Sequence, residues 1–326
     1  MSAAARIAAL GLSLAAAAAG VIAGAALTTA TSVPADAATM ESSVEPGGAD
    51  AVAGRRLAAA DAVIADAVPL LVGDSLSARV SVVGLGPAAG PASDLVAADL
   101  RTAGATVTSV VVLDDGWIDP ALATLRSGLA GQLTGGRGDD SLNTALALAI
   151  GGGDADGSSG GSSTVLAALQ GAGILTVVEA PGPAVLTPAP TPVLTPAPTP
   201  APTPSLVVTV FVTSGPVSGD AAAGWSELLS IWRSTVPATA AIAAEYGSEA
   251  RAGNSSLVVG IRQGPLASAV ATVDHAGTGL GRVAVIRAAY RLPQQPVGHY
   301  GFLSGAGAEL PPAPGTERTS GAGGNG

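Results

Sequence analysis

The chain has 326 residues, of which 48% are hydrophobic but only 2% aromatic, so a core would be built from small aliphatic side chains. Its formal net charge of -10 argues against a nucleic-acid or anionic-membrane partner, since phosphates reward clustered positive charge. Cysteine is absent, which excludes disulfides, thiolate catalysis and cysteine-based metal sites. All 14 basic residues are arginine, a bias read here as GC-rich coding rather than as a physical device.

Residues 7–27 carry no charge, and Arg6 with the amino terminus supplies a positive flank. About 20 apolar residues span a bilayer, and Ala35-Asp36-Ala37 offers a small-residue cleavage site. Residues 1–30 are therefore expected to be a transmembrane anchor or a signal segment, and either one places the remainder outside the cytoplasm. Gly20 and Gly24 form a GxxxG pair that composition alone explains. Residues 31–54, rich in Ala, Ser, Gly and Pro, read as a flexible stalk.

The periodic part begins with a helix over 55–68, ended by Pro69. A strand is predicted over 79–85, a helix over 92–103, a second strand over 107–113 and a helix over 120–133 with Pro120 at its first position. Residues 141–150 read as helix, 151–163 as a Gly/Ser/Asp loop, 164–170 as helix and 174–178 as strand. The segment 181–204 repeats TPAPTP and is expected to be an extended polyproline spacer inserted before a strand over 206–212. Residues 218–234 follow as a helix whose Trp225, Leu228, Leu229 and Trp232 share a face. Residues 238–244 suit strand or helix, 257–261 is short and apolar, and 283–288 reads as the last strand.

This alternation predicts an α/β fold: a layered, mainly parallel sheet flanked by helices, Rossmann-like in organisation. The expected division is an exported α/β domain over 55–310, carrying the Pro-rich insertion at 181–204, followed by a disordered tail over 311–326.

Several motifs invite chemistry. Gly73-Asp74-Ser75-Leu76-Ser77 matches the nucleophile block of GDSL-type esterases. Such an enzyme needs a base, usually in an Asp-x-x-His pair, whereas this chain offers adjacent Asp274-His275; Gly253-Asn254-Ser255 also lacks the Asp of an oxyanion block. The bland alternative is a turn before the first strand, and no catalytic residue is assigned. Gly84-Leu85-Gly86 with Gly90 stands where a dinucleotide loop would be, but Pro87 and Pro91 intrude, so a tight strand-to-helix turn is the expectation and no cofactor-binding residue is assigned. His275 and His299 are the only histidines, and Met1 and Met40 the only methionines, so the residues name no metal ligands and build no high-affinity Cu(I) site. Asp114-Asp115 and Asp139-Asp140 read as turn carboxylates.

The order of the carboxy-terminal pieces carries a further signal. Thr272-Val273-Asp274, then Gly281-Arg282 leading an apolar run to Ala288, then Gly298-His299-Tyr300-Gly301 and Gly305-Ala306-Gly307-Ala308 resemble the end of the mycobacterial-type copper transport protein family, MctB. Leu71-Val72, the run Ala103-Gly104-Ala105-Thr106-Val107-Thr108, Asp119-Pro120 and Thr164-Val165-Leu166-Ala167-Ala168-Leu169 before Gly173 are similar in the same order. The resemblance spans about 57–310 without the insertion, and no single piece is diagnostic.

It implies a membrane-attached, non-enzymatic envelope protein associated with copper efflux, in a family described as an outer-membrane channel. Copper would be cargo rather than cofactor, and the partners would be a membrane and a second copy or another envelope protein. Two features depart from the family: a coiled-coil-like stretch is reduced to a short stalk and one helix, and the insertion is extra. One spanning helix makes no pore, and the sequence lacks a sustained run of barrel-length amphipathic strands, so transport would need an assembly. An anchored envelope scaffold is the alternative reading, and an exported esterase the minor one.

Overall fold

The structure, a computed structural model, describes residues 78–135, 138–151, 159–179, 207–237, 239–247, 254–292 and 297–312, with parts of 59–76. The chain divides between Ala59 and Ala60, and the fold below belongs to the second unit. The proposed anchor, the stalk, Ser75, the Pro-rich insertion and the tail beyond 312 lie outside the described residues. Among the described residues no helix is long and apolar enough to cross a membrane.

Three valine-rich segments supply the middle of the sheet: β1 (Arg79–Leu85), β2 (Thr106–Leu113) and β4 (Val207–Thr213). They are nearly continuous apolar runs rather than alternating ones because both faces of the sheet are covered. With β3 (Leu175–Glu179), β6 (Ala240–Glu245), β8 (Ala271–Val273) and β9 (His299–Tyr300) they form one seven-stranded sheet in the order β3-β2-β1-β4-β6-β8-β9. All neighbours pair in parallel except β3, which runs antiparallel along β2 at the edge. Two short strands, β5 (Val217–Ser218) and β7 (Asn254–Ser255), pair separately.

The helices divide between the two faces. Helix α1 (Gly90–Thr102) and helix α7 (Gly279–Arg291) cover one face, where Val96, Leu100, Val283 and Ile286 meet Val80, Val210 and Ile242. On the other face lie α2 (Ala123–Thr134), α3 (Asp139–Gly151), α4 (Ser159–Gly171), α5 (Gly219–Thr235) and α6 (Leu257–Gln263). Helix α5 starts at Ser218, whose hydroxyl accepts from the Ala221 amide at 3.2 Å, and buries Trp225, Leu228, Leu229 and Trp232 as its spacing predicts. Trp232 stands edge-on to Phe211 of β4 with ring centres 5.0 Å apart, in the core of the face that also buries Trp117 and Trp225.

The α/β layered, mainly parallel arrangement agrees with the sequence, and two local expectations need correction. Residues 283–288 are helix, not strand: the Thr278 hydroxyl caps α7 by accepting from Gly281 N at 3.1 Å, and the helix is apolar on several sides because it is buried between sheet and α1. A helix buried all round loses the 3.6-residue stripe and imitates an inner strand. The expected loop over 151–163 is already helical from Ser159, and 257–261 belongs to α6. The ambiguous segment 238–244 resolves as strand β6.

Candidate functional site at the carboxyl edge of the sheet

From β1 the chain crosses to β2 on one side, while β4 leads to β6 on the other. Open α/β sheets form a crevice at such a divergence, outside the carboxyl ends of the two strands. Here it measures about 490 Å³ and lies between the β1 turn, the segment after β2 and the start of α5. Gly86 turns the chain with φ 87°, and its amide donates to Leu113 O at 3.0 Å. Gly84 permits close approach of α1, since a Cβ there would overlap the Ser93 hydroxyl. The tight-turn reading of these glycines is therefore what the geometry shows.

The crevice is a poor cradle for phosphate. Pro87 and Pro120 remove amides from its rim, while Asp115, Asp119 and Asp220 line it with negative charge. Its floor includes Trp225, only 1% exposed. Asp114 and Asp119 also act locally, accepting from Gly116 N at 3.2 Å and Ala121 N at 2.8 Å. Asp139 is no turn residue: it opens α3 and takes a bidentate contact from buried Arg126, at 3.1 and 2.8 Å.

Further along the same edge, Thr213, Glu245 and Asp274 stand at or just beyond the ends of β4, β6 and β8, all fully buried. Asp274 pairs with Arg262 of α6 at 2.8 Å, and neither side chain has any exposed surface. Arg262 also donates from Nε to Thr272 Oγ1 at 2.7 Å, from Nη2 to Tyr300 O at 2.7 Å and from Nη1 to Leu303 O at 3.1 Å. Asp274 accepts in addition from Phe302 N at 2.7 Å, Leu303 N at 3.1 Å and His275 Nδ1 at 2.5 Å. Burial alone would push the Asp274 carboxyl up, but the Phe302 amide, His275, Arg262 and the Leu303 amide together hold it below its ordinary value.

His275 adopts φ 54°, the one left-handed non-glycine residue among those described, and its ring stands edge-on to half-exposed Phe302 at 5.3 Å. His299 sits on β9 with Nδ1 3.0 Å from the Thr272 hydroxyl, which already accepts from Arg262 and so donates to the ring. Burial and the nearby Arg262 guanidinium lower its pKa, favouring the neutral imidazole. Glu245 takes a 2.9 Å hydrogen bond on Oε2 from Ser256, while Oε1 has no partner within hydrogen-bonding geometry. Burial pushes this carboxyl up; Ser256 and the Val258 and Leu257 amides oppose the rise, and Asp274 adds to it.

Adjacent Asp274 and His275 thus touch. The proposed nucleophile Ser75 lies outside the described residues, as does Gly253, while Asn254 and Ser255 form β7. No group of three or more histidine or acidic side chains is placed to hold a metal ion among the described residues. Sequence reading missed Arg262, Glu245 and Trp225 as site residues. Their only signals were a lone arginine inside an apolar helix, a carboxylate ending an apolar strand, and a tryptophan just after a helix start.

Two of the pieces that carried the resemblance therefore meet in space, Asp274 from the first with Tyr300 and Gly301 from the third, while Arg282 of the second forks instead onto Asp99 of α1 at 2.7 and 2.5 Å. No curated protein matches the chain. The family described as copper transport outer membrane protein, MctB, matches residues 3–311, nearly the whole length, and the chain belongs to that family.

Proposed function

We propose that this protein is a membrane-attached cell-envelope component that takes part in copper efflux and copper homeostasis, working as an oligomer or with partners rather than as an enzyme. The observation that carries the reading is the family match, which runs from residue 3 and so includes the uncharged stretch 7–27. That stretch is the single-pass anchor or export signal, with the α/β unit outside the cytoplasm. The ligand inventory supports copper as cargo rather than as a resident ion: without cysteine, and with two histidines already hydrogen-bonded through Nδ1, the chain has little to hold Cu(I) tightly. Deleting the gene in its host and measuring cell copper and growth under copper stress tests the proposal. Raised copper and sensitivity restored by the full-length chain are expected; unchanged copper content refutes it.

The scaffold reading draws on a different observation. Arg262 and Asp274 spend their charges on each other and on backbone groups at Tyr300, Phe302 and Leu303, as suits a rigid module that docks a partner through other surfaces. Crosslinking in intact cells distinguishes the readings, since a scaffold recovers envelope partners in a strain whose copper content is normal on deletion.

A further inference from the structure

We propose that the outer edge of β3 pairs with the same edge of a second copy across a two-fold axis, so that two sheets join into one. This names the partner for the oligomer reading above and rests on it. The copper content of a deletion strain tests that reading, and the association state of the purified chain tests this one, so either can fail alone.

The two edges of the sheet differ. At β9 the chain covers its own edge: Tyr300 bridges Ala308, the Gly301 amide donates to Ala308 O at 3.0 Å and the Gly307 amide to His299 O at 2.9 Å. At β3 nothing among the described residues pairs on the outer side. Ile174 turns its carbonyl to the Asp114 amide at 3.0 Å, so by alternation the N–H and C=O groups of Leu175 and Val177 point away from the sheet. The register shift between β2 and β3 falls after Val177 and leaves this stretch regular. Exposed edges are ordinarily blunted by proline, charge or a covering segment, and Leu175–Val178 has neither of the first two, nor the third among the described residues.

The edge is complementary to itself. In the two-fold register that brings the outward groups together, Leu175 exchanges both hydrogen bonds with Val177 of the second copy, about four bonds in all, and Thr176 faces Thr176 of the second copy on the axis. Thr176 is exposed and Val178 is 50% exposed, so the face beside this ladder is open and β-branched. Charge favours a copy over a foreign chain. The molecule carries a net charge of -10, yet no charged residue occurs from Gly157 to Val178, a stretch that includes α4, whose Leu166 and Leu169 share a core with Leu175. A basic partner would be recognised by carboxylates, which this flank lacks, whereas two acidic copies need a neutral place to meet. The connection from Glu179 to Val207 does not require the chain to pass along the outer side of β3, because β3 runs towards the end of the sheet at which β4 starts.

Because the chain has no cysteine, Thr176→Cys gives one thiol per molecule, and any disulfide within the protein joins two copies. A non-hydrogen-bonded antiparallel pair sets its Cα atoms about 4.5 Å apart, inside the roughly 4.4–6.8 Å that a disulfide spans. With the full chain in detergent, diamide should crosslink Thr176→Cys at least about tenfold faster than Ala88→Cys, an exposed position elsewhere. Sedimentation should show a concentration-dependent dimer that does not weaken as salt rises. Thr176→Lys sets like charges face to face and should weaken the dimer about fivefold with circular dichroism unchanged. Val177→Pro, which removes an outward donor, should weaken it as well. The inference is overturned if the wild type is monomeric at every concentration, if Thr176→Cys crosslinks no faster than Ala88→Cys, or if Thr176→Lys dimerises like the wild type. It is overturned too if a dimer forms only after residues 181–204 are deleted, which would make that insertion the occupant of the edge.

Discussion

Asp274→Asn removes the charge that neutralises Arg262 and leaves the guanidinium in a site with no exposed surface. Breaking a buried ion pair from one side costs about 3–5 kcal/mol, because the surviving charge keeps its desolvation penalty. The amides of Phe302 and Leu303 also lose a charged acceptor, a contribution that overlaps with the first. A loss of about 4 kcal/mol is a large part of the roughly 5–15 kcal/mol typical of a folded domain. With a urea m-value of about 2–3 kcal/mol/M, the midpoint should fall by roughly 1.5 M, read by the emission of buried Trp225 and Trp232. The folded Asp274 carboxyl lies below its ordinary value, so its stabilisation is present above the usual aspartate range and lost as pH falls through the lowered folded value. The wild type should therefore lose more stability on acidification than the variant does. Amide exchange at Phe302 and Leu303 should accelerate, and replacing both partners, Arg262→Met with Asp274→Leu, should be milder than the single change. A midpoint shift under about 0.4 M, with an unaltered acid limb, would refute the assignment of this pair as the lock of the carboxy-terminal segment.

Glu245 has the opposite sign. Its folded pKa is raised, so its contribution to stability is full below the ordinary glutamate range and fades as pH rises through the folded value; Glu245→Gln should stabilise the protein in alkaline but not in acid solution, as parallel urea titrations will show. Gly281→Ala would gain about 1 kcal/mol in an exposed helix, but a Cβ there overlaps the His275 carbonyl, so thermal melts should show a loss of about 1–3 kcal/mol instead. At His275, with φ 54°, a β-branched residue is penalised for its backbone, and His275→Val should be about 1–2 kcal/mol less stable than His275→Gly by the same melts.

Much of the sheet was legible because its inner strands are long and valine-rich: the sequence ranges for β1, β2 and β4 each fall within one residue of the observed ends. The other half of the sheet was harder. Strand β6 is alanine-rich, which suits a helix as well, and β8 and β9 have three and two residues, too few to show a period. They are strands because neighbours supply their hydrogen bonds, not because of local preference. The antiparallel direction of β3 depends on how the chain returns to the sheet, which no local pattern encodes. For the site, Asp274 and His275 were visible as a pair, but Arg262 and Glu245 reach the cluster from other elements, and contact across the fold has no signature in spacing.

The arginine bias, read from sequence as a coding effect, has a physical use within this fold. Arg126, Arg262 and Arg282 each join separate elements through two or more of their nitrogens: α2 to α3, α6 to β8 and its following loop, and α7 to α1. A lysine ammonium, a single point donor on a flexible stem, could not make the forked contacts onto Asp99 and Asp139, nor reach Thr272, Asp274 and Tyr300 together. Two of these three arginines grip family pieces, so the signature that identifies the chain is in large part a record of packing. The charges of that block are consumed inside the molecule. What faces outward, at the place where this topology opens, is the rim of Asp115, Asp119 and Asp220 above buried Trp225. A search for what the protein handles therefore belongs at the crevice rather than at the residues that name the family.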